Sequence, residues 1–325
     1  TAGATGCGGG GTPASATPPQ AHLARPNFVV VLADDMAYGL FGAGRRVPFL
    51  QLPSLERLAA QGVQLDRTYV NTSLCSPSRA SILSGLYAHT HGVTVNETAE
   101  LSPDVPTFPQ LLNQAGYRTA YVRKWHMDAS NDGPRPGFDY WVSFRGQGVY
   151  DDPVLNVDGR VVNSRGYVTD LLTDYALEWL NGQPPEPFLL VLSHKAVHQP
   201  FEPAPRPANA LAGAWLPEPP NYRDDFEGKP AWQRRYARCG GTPAGYANCP
   251  DPLPMMLPRW PWSGDDPNRL DYLRAALALD DSVGSVMAAL ERSGRDRNTY
   301  VLFMSDNGYF LGEHRLADKR LAYEE

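Results

Sequence analysis

A cysteine and an arginine at the start of a helical segment have the types and spacing of an anion-binding site. Residues 74–85 read L-C-S-P-S-R-A-S-I-L-S-G, and the pattern predicts a helix from Ser78 to Gly85, with Cys75 just before it. A helix start offers free backbone N–H groups and the positive end of the helix dipole, which favour an anion. Arg79 lies one turn further on and can share a face with Cys75. Taken alone, the pair fits a packed thiol beside a surface cation equally well.

Polar residues also follow three apolar runs, residues 27–33, 187–193 and 299–304. Continuous apolar runs rich in β-branched and aliphatic residues are typical of strands buried on both faces of a parallel sheet. The polar residues that follow the runs are Asp34 and Asp35, His194 and Lys195, and Asp306 and Asn307. Ligands of α/β proteins bind at the carboxyl ends of the strands, so we expect the functional site at this edge.

The acidic residues at these strand ends are candidate metal ligands. Asp34, Asp35, Asp306 and Asn307 offer hard oxygen atoms, which suit Ca²⁺ or Mg²⁺ and not a soft metal. A single Asp pair most often serves a turn or a helix cap. Two such pairs at strand ends, with the Cys75 segment between them in the chain, favour a metal site.

Helices alternate with strands along the rest of the chain. The helical patterns cover residues 53–62, 107–115, 168–180 and 270–292, and further strand-like segments cover 64–70 and 118–125. Ser54 is a plausible N-cap of the first of these helices, and Gly62 ends it. Buried strands separated by helices predict an α/β fold with a large, mostly parallel sheet that is covered by helices on both faces.

Several motifs together resemble the type I, formylglycine-dependent sulfatases of the alkaline-phosphatase-like superfamily. The most specific is C-x-P-x-R at Cys75–Arg79, and the resemblance runs from about Pro26 to Glu325. The other matching motifs are K-W-H at 124–126, K-A-V-H-Q-P-F at 195–201, D-N-G-x-x-x-G-E-H at 306–314 and D-K-x-x-x-Y-E-E at 318–325. The chain looks most like bacterial sulfatases of glycosaminoglycans and N-acetylglucosamine 6-sulfate.

The resemblance implies a cofactor and a nucleophile. Cys75 would be converted to formylglycine by a maturation enzyme, and one hydroxyl of the aldehyde hydrate would attack sulfur. The implied metal ion is Ca²⁺, with Mg²⁺ as the alternative. Its ligands would be Asp34, Asp35, the modified Cys75, Asp306 and Asn307.

The resemblance also implies roles for the basic residues. Arg79, Lys124 and Lys319 would neutralise the sulfate as charge builds on its oxygens. His198 would protonate the leaving alcohol, with His194 as a weaker competitor for that role. His126 would help to release sulfate from the covalent intermediate.

Two positions depart from the family pattern. Arg123 stands where the family has Gly, so it could crowd the pocket or add an anion contact. Arg315 stands where many relatives have Gly. Neither departure removes a catalytic group.

Two other kinds of activity remain open at this point. A phosphonate monoester or phosphodiester hydrolase of the same superfamily can share the C-x-P-x-R motif. A non-catalytic, carbohydrate-binding surface protein could use the tryptophans of the segment 199–267, such as Trp215.

Composition limits the possible partners and the location. The chain has 325 residues and a formal net charge of −6, which argues against a sequence-independent nucleic-acid binder. No apolar run approaches the ~20 residues of a membrane-spanning helix. A sulfated small molecule or glycan is the expected substrate.

The excess of Gly and Pro has two expected sources. Residues 1–26 predict a disordered leader, and Cys7 within it resembles the lipidated cysteine of an exported bacterial lipoprotein. The protein would then be periplasmic, extracellular or on the cell surface, with a lipid anchor as its only membrane contact. Residues 27–325 form the expected catalytic domain, which would end before the family's C-terminal subdomain. Its Pro- and Trp-rich insert, about 199–267, contains Cys239 and Cys249, which we expect to pair.

Overall fold

The computed structural model describes the greater part of the predicted catalytic domain. The described residues are 25–42, 45–96, 100–128, 130–182, 184–185, 187–206, 209–224, 227–231, 234, 263–316, 318–321 and 323. The predicted leader up to residue 24, with Cys7, lies outside these residues. So do Cys239 and Cys249, and their pairing stays a prediction.

A mixed sheet forms the centre of the molecule. Its strands are β1 (Asn27–Ala33), β2 (Arg118–Arg123), β3 (Tyr140–Ser143), β4 (Val154–Val157), β5 (Arg160–Asn163), β6 (Phe188–Ser193) and β7 (Thr299–Ser305). Within the described ranges the sheet has seven strands in the order β5-β4-β3-β2-β6-β1-β7. The pairs from β3 to β7 are parallel, and β4 and β5 add antiparallel strands at one edge. The carboxyl ends of β2, β6, β1 and β7 therefore lie side by side.

Helices cover both faces of this sheet. The α-helices of the described segments are α1 (Pro53–Gln61), α2 (Cys75–Ser84), α3 (Ala88–His91), α4 (Phe108–Gln114), α5 (Val168–Asn181) and α6 (Pro267–Arg292). One core joins the sheet to α1, α5 and α6 through residues such as Val29, Leu172 and Leu279. The other core joins the opposite face to α2 through residues such as Ala80 and Leu189. Of the helices described, none has the length and apolarity needed to cross a membrane.

The start of α1 is capped differently from the prediction. Leu52 occupies the N-cap position, and no side chain of the helix itself caps the first turn. The carboxylate of Asp280, on α6, accepts the N–H groups of Ser54 at 3.0 Å and Leu55 at 2.8 Å. The predicted Ser54 cap is therefore wrong, because a residue from a distant helix supplies the acceptor.

The predicted strand at 64–70 is also wrong. This segment is irregular and largely exposed, with 74% of Leu65 and 68% of Tyr69 accessible to solvent. Its alternating apolar residues resemble a strand, but none of the described strands pairs with it. The sequence reading also missed the short strands β3, β4 and β5. The Gly62 end of α1 and the bounds of the longer elements agree with prediction to within about three residues.

Candidate active site

The predicted site residues meet at the carboxyl edge of the sheet. Asp34 and Asp35 follow β1, Lys124 follows β2, and Asp306 follows β7. The loop after β6 is joined to the end of β1 by two backbone hydrogen bonds: Asp34 N–H donates to Ala196 O at 2.9 Å, and Val197 N–H donates to Asp34 O at 2.7 Å. These bonds place the loop that carries His198 beside the aspartates.

Cys75 is the first residue of α2, and its side chain is fully buried. Its Sγ lies 3.5 Å from an oxygen of Asp34 and 3.4 Å from Nζ of Lys319. Burial, together with the charge of Asp34, raises the pKa of the thiol well above its ordinary value. The unmodified side chain is therefore a neutral thiol and a poor nucleophile at neutral pH.

A polar side chain from outside α2 accepts a backbone N–H group of the first turn of α2. Asn96 Oδ1 accepts the N–H of Ser76 at 3.0 Å, next to Cys75 in the chain. Leu74, at the N-cap position, offers no side-chain acceptor, so Asn96 fills that place. Asn96 is buried and lies in a glycosylation-type sequon, but this contact gives it a structural use.

Arg79 joins the ends of β1, β2, β6 and β7. Its guanidinium lies 2.8 Å from Asp306 and 3.5 Å from Asp34, and it donates to the carbonyl of Lys124 at 2.9 Å and to Ser193 Oγ at 2.8 Å. Burial opposes the charge, but Asp306 and Asp34 together raise the pKa of Arg79. In this arrangement Arg79 balances the aspartates and holds the strand ends together.

Lys124 and Lys319 form ion pairs with different carboxylates. Lys124 Nζ lies 2.5 Å from Asp34 and also contacts Gln147 Oε1. Lys319 Nζ lies 2.5 Å from Asp35, and although burial acts against the charge, Asp35 raises its pKa. Burial acts to raise the pKa of Asp34, but Lys124 and other cations hold it well below its ordinary value.

Four side chains at the sheet edge form a group that could hold a metal ion. Ligand atoms of Asp34, Asp35, Cys75 and His198 all lie within 4.8 Å of one another. Asn307 donates from Nδ2 to Asp35 at 2.7 Å, but its Oδ1 is buried and has no hydrogen-bond partner in the described part of the chain. A buried acceptor without a donor, beside clustered carboxylates, is the environment in which a bound cation restores the balance.

Asp306 completes the acidic group. Its Oδ1 accepts the N–H groups of Asp35 at 3.1 Å and Asn307 at 2.8 Å. Burial and the neighbouring charge of Asp34 raise the pKa of Asp306 to about 7.

His198 faces the aspartates with one ring nitrogen. Its Nδ1 lies 2.6 Å from the carbonyl of Gln199, and because a carbonyl only accepts, this nitrogen carries the proton. Its Nε2 then faces Asp35 at 3.6 Å. Burial and the charge of Lys124 lower the pKa of His198 to about 4.

His126 contacts the start of α2 instead of the carboxylates. Its Nδ1 lies 3.3 Å from Ser76 Oγ, next to Cys75 in the chain. Burial, followed by the charge of Lys124, lowers the pKa of His126 to about 2. The ring is therefore neutral. It would bind a proton more readily if the positive charge of Lys124 were neutralised.

His194 points away from the site. Its ring is fully buried, and Nε2 lies 2.9 Å from Ser282 Oγ on α6, which in turn contacts Thr173 on α5. Burial lowers its pKa to about 3. Its place between the sheet and α5 and α6 argues against His194 as the leaving-group acid.

Arg123 is the last residue of β2 and is buried. Its guanidinium lies 4.7 Å from the centroid of the Tyr121 ring, and Nε donates to the Lys124 carbonyl at 3.4 Å. Burial lowers its pKa to about 10. Its Nη2 is buried and has no hydrogen-bond partner among the described residues, and the crowding or anion contact expected of Arg123 stays a prediction. The side chain of Arg315 lies outside the described atoms.

Sequence reasoning missed Gln147, which contacts the amine of Lys124. Gln147 lies in the loop between β3 and β4, where Gly148 has φ +65° and a Cβ would lie 2.5 Å from the Phe144 ring. Glycine is therefore needed for the turn that presents Gln147. The glycines on both sides of Gln147 indicate a turn in the sequence, but they do not show that Gln147 contacts Lys124.

This geometry agrees with comparisons against known proteins. The sequence profile of the Sulfatase family matches residues 26–325. The chain therefore belongs to the sulfatase family, and the predicted α/β fold of the alkaline-phosphatase-like superfamily is confirmed.

Several of the similar proteins are named as N-acetylglucosamine-6-sulfatases. The chain is 32% identical to an N-acetylglucosamine-6-O-sulfatase of Bacteroides thetaiotaomicron, over 95% of this chain and 63% of the relative. It is 30% identical to the N-acetylglucosamine-6-sulfatase of Homo sapiens, over 92% of this chain and 54% of that protein. A solved structure described as a complex with its substrate D-glucosamine-2-N,6-O-disulfate superimposes with a TM-score of 0.77 and 30% identity, over 93% of this chain and 69% of that one. The chain thus spans just over half to just under two thirds of the two named relatives.

Proposed function

We propose that the protein hydrolyses sulfate esters of carbohydrates, with 6-O-sulfated glucosamine as the substrate class. The observation that carries this proposal is the buried cluster of Cys75, the aspartates and the lysines at the sheet edge. The names of the relatives support the sugar and the position of the sulfate. The phosphonate monoester or phosphodiester hydrolase and the non-catalytic binding protein remain the alternatives.

The nucleophile is Cys75 after its conversion to formylglycine. The buried, neutral thiol is not itself reactive, whereas the hydrate of the aldehyde supplies a hydroxyl that attacks sulfur and a second hydroxyl that allows sulfate to leave. This conversion requires a maturation enzyme as a partner. The position of Cys75 at the start of α2 directs its side chain towards the cations and carboxylates of the sheet edge.

The metal ion is proposed to be Ca²⁺, with Mg²⁺ as the alternative. Asp34, Asp35, Asp306 and Asn307 would hold it, together with the group at position 75. When bound, it would polarise a sulfate oxygen and favour ionisation of the attacking hydroxyl.

The remaining groups neutralise charge and move protons. Lys124 and Lys319, which pair with Asp34 and Asp35, would bind the sulfate oxygens once a cation neutralised those carboxylates. Arg79 stays on Asp306 and supports the anion through the field of its charge. With the anionic sulfate bound beside it, His198 would carry a proton on each ring nitrogen. It donates the proton on Nε2 to the leaving alcohol, and His126 accepts one as sulfate is released.

Turnover of a glucosamine 6-O-sulfate, measured beside mass spectrometry of the Cys75 peptide, tests this function. We expect sulfate release from the converted protein and none from Cys75→Ala. The matched control is Ser84→Ala at the far end of α2, which should keep full activity. Faster turnover of an aryl phosphonate would favour the alternative hydrolase, and full activity of Cys75→Ala would overturn the mechanism.

We also propose that the protein is exported, with a lipid anchor at Cys7. The support is the small-residue sequence around Cys7 and the likeness to relatives named as extracellular sulfatases. Detergent-phase partitioning of the protein made with its native upstream sequence tests the anchor. A fully aqueous protein would contradict it.

A further inference from the structure

Lys195 is a buried lysine with no role in the proposed mechanism. It follows β6, its side chain has no exposed surface, and its Nζ lies 4.8 Å from the centroid of the Tyr150 ring. Nζ also donates to the carbonyl of Gln199 at 3.2 Å. Burying a lysine is costly, so a fully buried lysine with these specific contacts calls for an explanation.

The contacts of Lys195 and Tyr150 converge on the residue that carries the proposed acid. The Gln199 carbonyl that Lys195 holds is the same one that accepts Nδ1–H of His198 at 2.6 Å. The hydroxyl of Tyr150 donates to the backbone carbonyl of His198 at 2.7 Å. Both carbonyls that flank the imidazole are therefore held by buried side chains.

Tyr150 is itself held rigidly. Its ring stacks on Tyr167 with centroids 5.4 Å apart and an interplanar angle of 14°, and the hydroxyl of Tyr167 donates to Glu202 O at 2.8 Å. The two tyrosines thus fix the chain on both sides of the loop from His198 to Glu202. A loop that is held at both ends keeps its side chains in one orientation better than a loop that is free to move.

We propose that Lys195 and Tyr150 are positioning residues that hold Nδ1–H of His198 on the Gln199 carbonyl, so that the second proton of the imidazolium, on Nε2, is directed at the leaving oxygen. The inference rests on the proposed sulfatase function. Without the ammonium of Lys195, the Gln199 carbonyl is free to turn, and Nδ1–H of His198 loses the acceptor that fixes the angle of the ring. Without the Tyr150 hydroxyl, the backbone of His198 shifts.

The dependence of the rate on the leaving group distinguishes positioning of the acid from general support of the fold. A sugar alkoxide needs a proton to leave, whereas 4-nitrophenolate leaves as a stable anion. Loss of a well-placed general acid costs about 10²–10⁴ in rate. A misplaced His198 should therefore slow hydrolysis of the sugar sulfate and spare the aryl sulfate.

The experiment compares Lys195→Met, Lys195→Arg and Tyr150→Phe in the full, metal-loaded and converted protein. We expect kcat for glucosamine 6-O-sulfate to fall at least tenfold in Lys195→Met and in Tyr150→Phe. We expect kcat for 4-nitrophenyl sulfate to change less than threefold. Lys195→Arg keeps a cationic donor and should recover most of the loss. Lys229→Met is the matched control, because Lys229 also lies over a tyrosine ring, that of Tyr323 at 5.4 Å.

Each other result counts against the proposal. An equal fall for both substrates would show a purely structural role, and no fall for either would show no role, so both overturn it. If Lys195→Met does not fold, Tyr150→Phe removes a single hydroxyl and carries the same test. A converted wild-type protein that is inactive on both sulfates overturns the proposed function itself, and this inference with it.

Discussion

At the scale of single residues, the site is a balance of buried charges. Asp34, Asp35 and Asp306 lie together, and Arg79, Lys124 and Lys319 pair with them in the structure described. A charge that loses its partner in such a place is strongly destabilising, so each group constrains the others. Under the proposed function, a divalent cation in this cluster would release the lysines for substrate and so link metal binding to stability and to substrate affinity.

Metal binding should therefore stabilise the fold. At a Ca²⁺ concentration one hundred times its Kd, we expect the free energy of unfolding to rise by about 2.7 kcal/mol, measured by thermal unfolding with and without a chelator. Asn307→Leu removes the orphan oxygen and should greatly reduce the shift. Asn181→Ala, on the exposed end of α5, is the control and should keep it. A Ca²⁺-independent melting temperature in the wild type would contradict this expectation.

Gln147 should influence substrate affinity through Lys124. Gln147→Glu places a carboxylate against the amine of Lys124 and holds that cation away from the sulfate. We expect KM for 4-nitrophenyl sulfate to rise about tenfold, equivalent to about 1.4 kcal/mol of binding free energy. Gln114→Glu, at the exposed end of α4, adds the same charge elsewhere and should leave KM unchanged. An unaltered KM in Gln147→Glu would remove this role.

The sequence predicted the residues of the site better than their contacts. The motif at Cys75 and the strand-end aspartates identify the groups, because chemistry restricts which residue types can serve. Ser193, Asn96 and Gln147 escaped prediction, because their partners are 114, 20 and 23 residues away in the chain. Contacts of this kind exist only once the strands have been placed side by side.

At the scale of elements, helix starts borrow their caps from elsewhere in the chain. Asp280 of α6 accepts two N–H groups of α1, and Asn96 accepts one of α2. Only α4 and α6 have local caps of the kind a sequence pattern shows among the described helices: the Thr107–Gln110 capping box and Asp266. A cap supplied by a distant residue begins a helix and also connects that helix to another part of the fold.

Loss of the borrowed cap should destabilise the packing of α1 on α6. Asp280→Ala leaves two N–H groups of α1 without an acceptor, and we expect the free energy of unfolding to fall by about 1–2 kcal/mol. Chemical denaturation measures this change. Asp296→Ala, at an exposed position, removes the same charge and should have little effect. Equal stabilities of the two variants would show that the cap is not needed.

Long elements were predictable and short ones were not. The runs that became β1 and β6 are almost entirely apolar and buried, and α6 carries a long amphipathic pattern. β7 forms as predicted, but its burial on both faces was predicted wrongly: it is an edge strand of the described sheet and leaves Tyr300 and Leu302 exposed. The hairpin of β4 and β5 has four residues in each strand, and β5 is largely exposed, so its pattern is weak. The segment 64–70 has a strand-like pattern, but no described strand pairs with it. A local pattern cannot show this, because strand pairing depends on the arrangement of the whole sheet.

At the scale of the whole molecule, His194 connects the active edge to the core behind it. It follows β6 directly, and its ring reaches Ser282 and Thr173 on the two helices that cover that face. The neutral ring is fully buried, so a charged one would disrupt the packing of α5 and α6 against the sheet. The stability of the core therefore depends on the protonation of a single side chain.

Acid should weaken the fold through this histidine. Burial lowers the pKa of His194 to about 3 in the folded state from an ordinary value of 6.5. The unfolded chain binds the proton first, so the stabilisation is complete above pH 6.5 and is lost as the pH falls below it. Each unit of pH costs about 1.4 kcal/mol.

A histidine variant isolates this contribution. Between pH 6.5 and pH 5, we expect His194→Gln to lose about 2 kcal/mol less stability than the wild type. Urea titrations across this range measure the difference, with the exposed His89→Gln as the control. Identical slopes for His194→Gln and the wild type would show that His194 does not titrate as described.

The complete enclosure of Cys75 has a consequence for the timing of synthesis. Lys319, which closes against its sulfur, lies 244 residues further along the chain. At a synthesis rate of about 5–20 residues per second, Lys319 follows Cys75 by roughly 10–50 s. Any enzyme that modifies this side chain has to reach it before the late strands and loops arrive, while the segment is still extended. If Cys75 is converted as proposed, the order in which the ribosome delivers the chain would decide whether the finished protein carries its nucleophile.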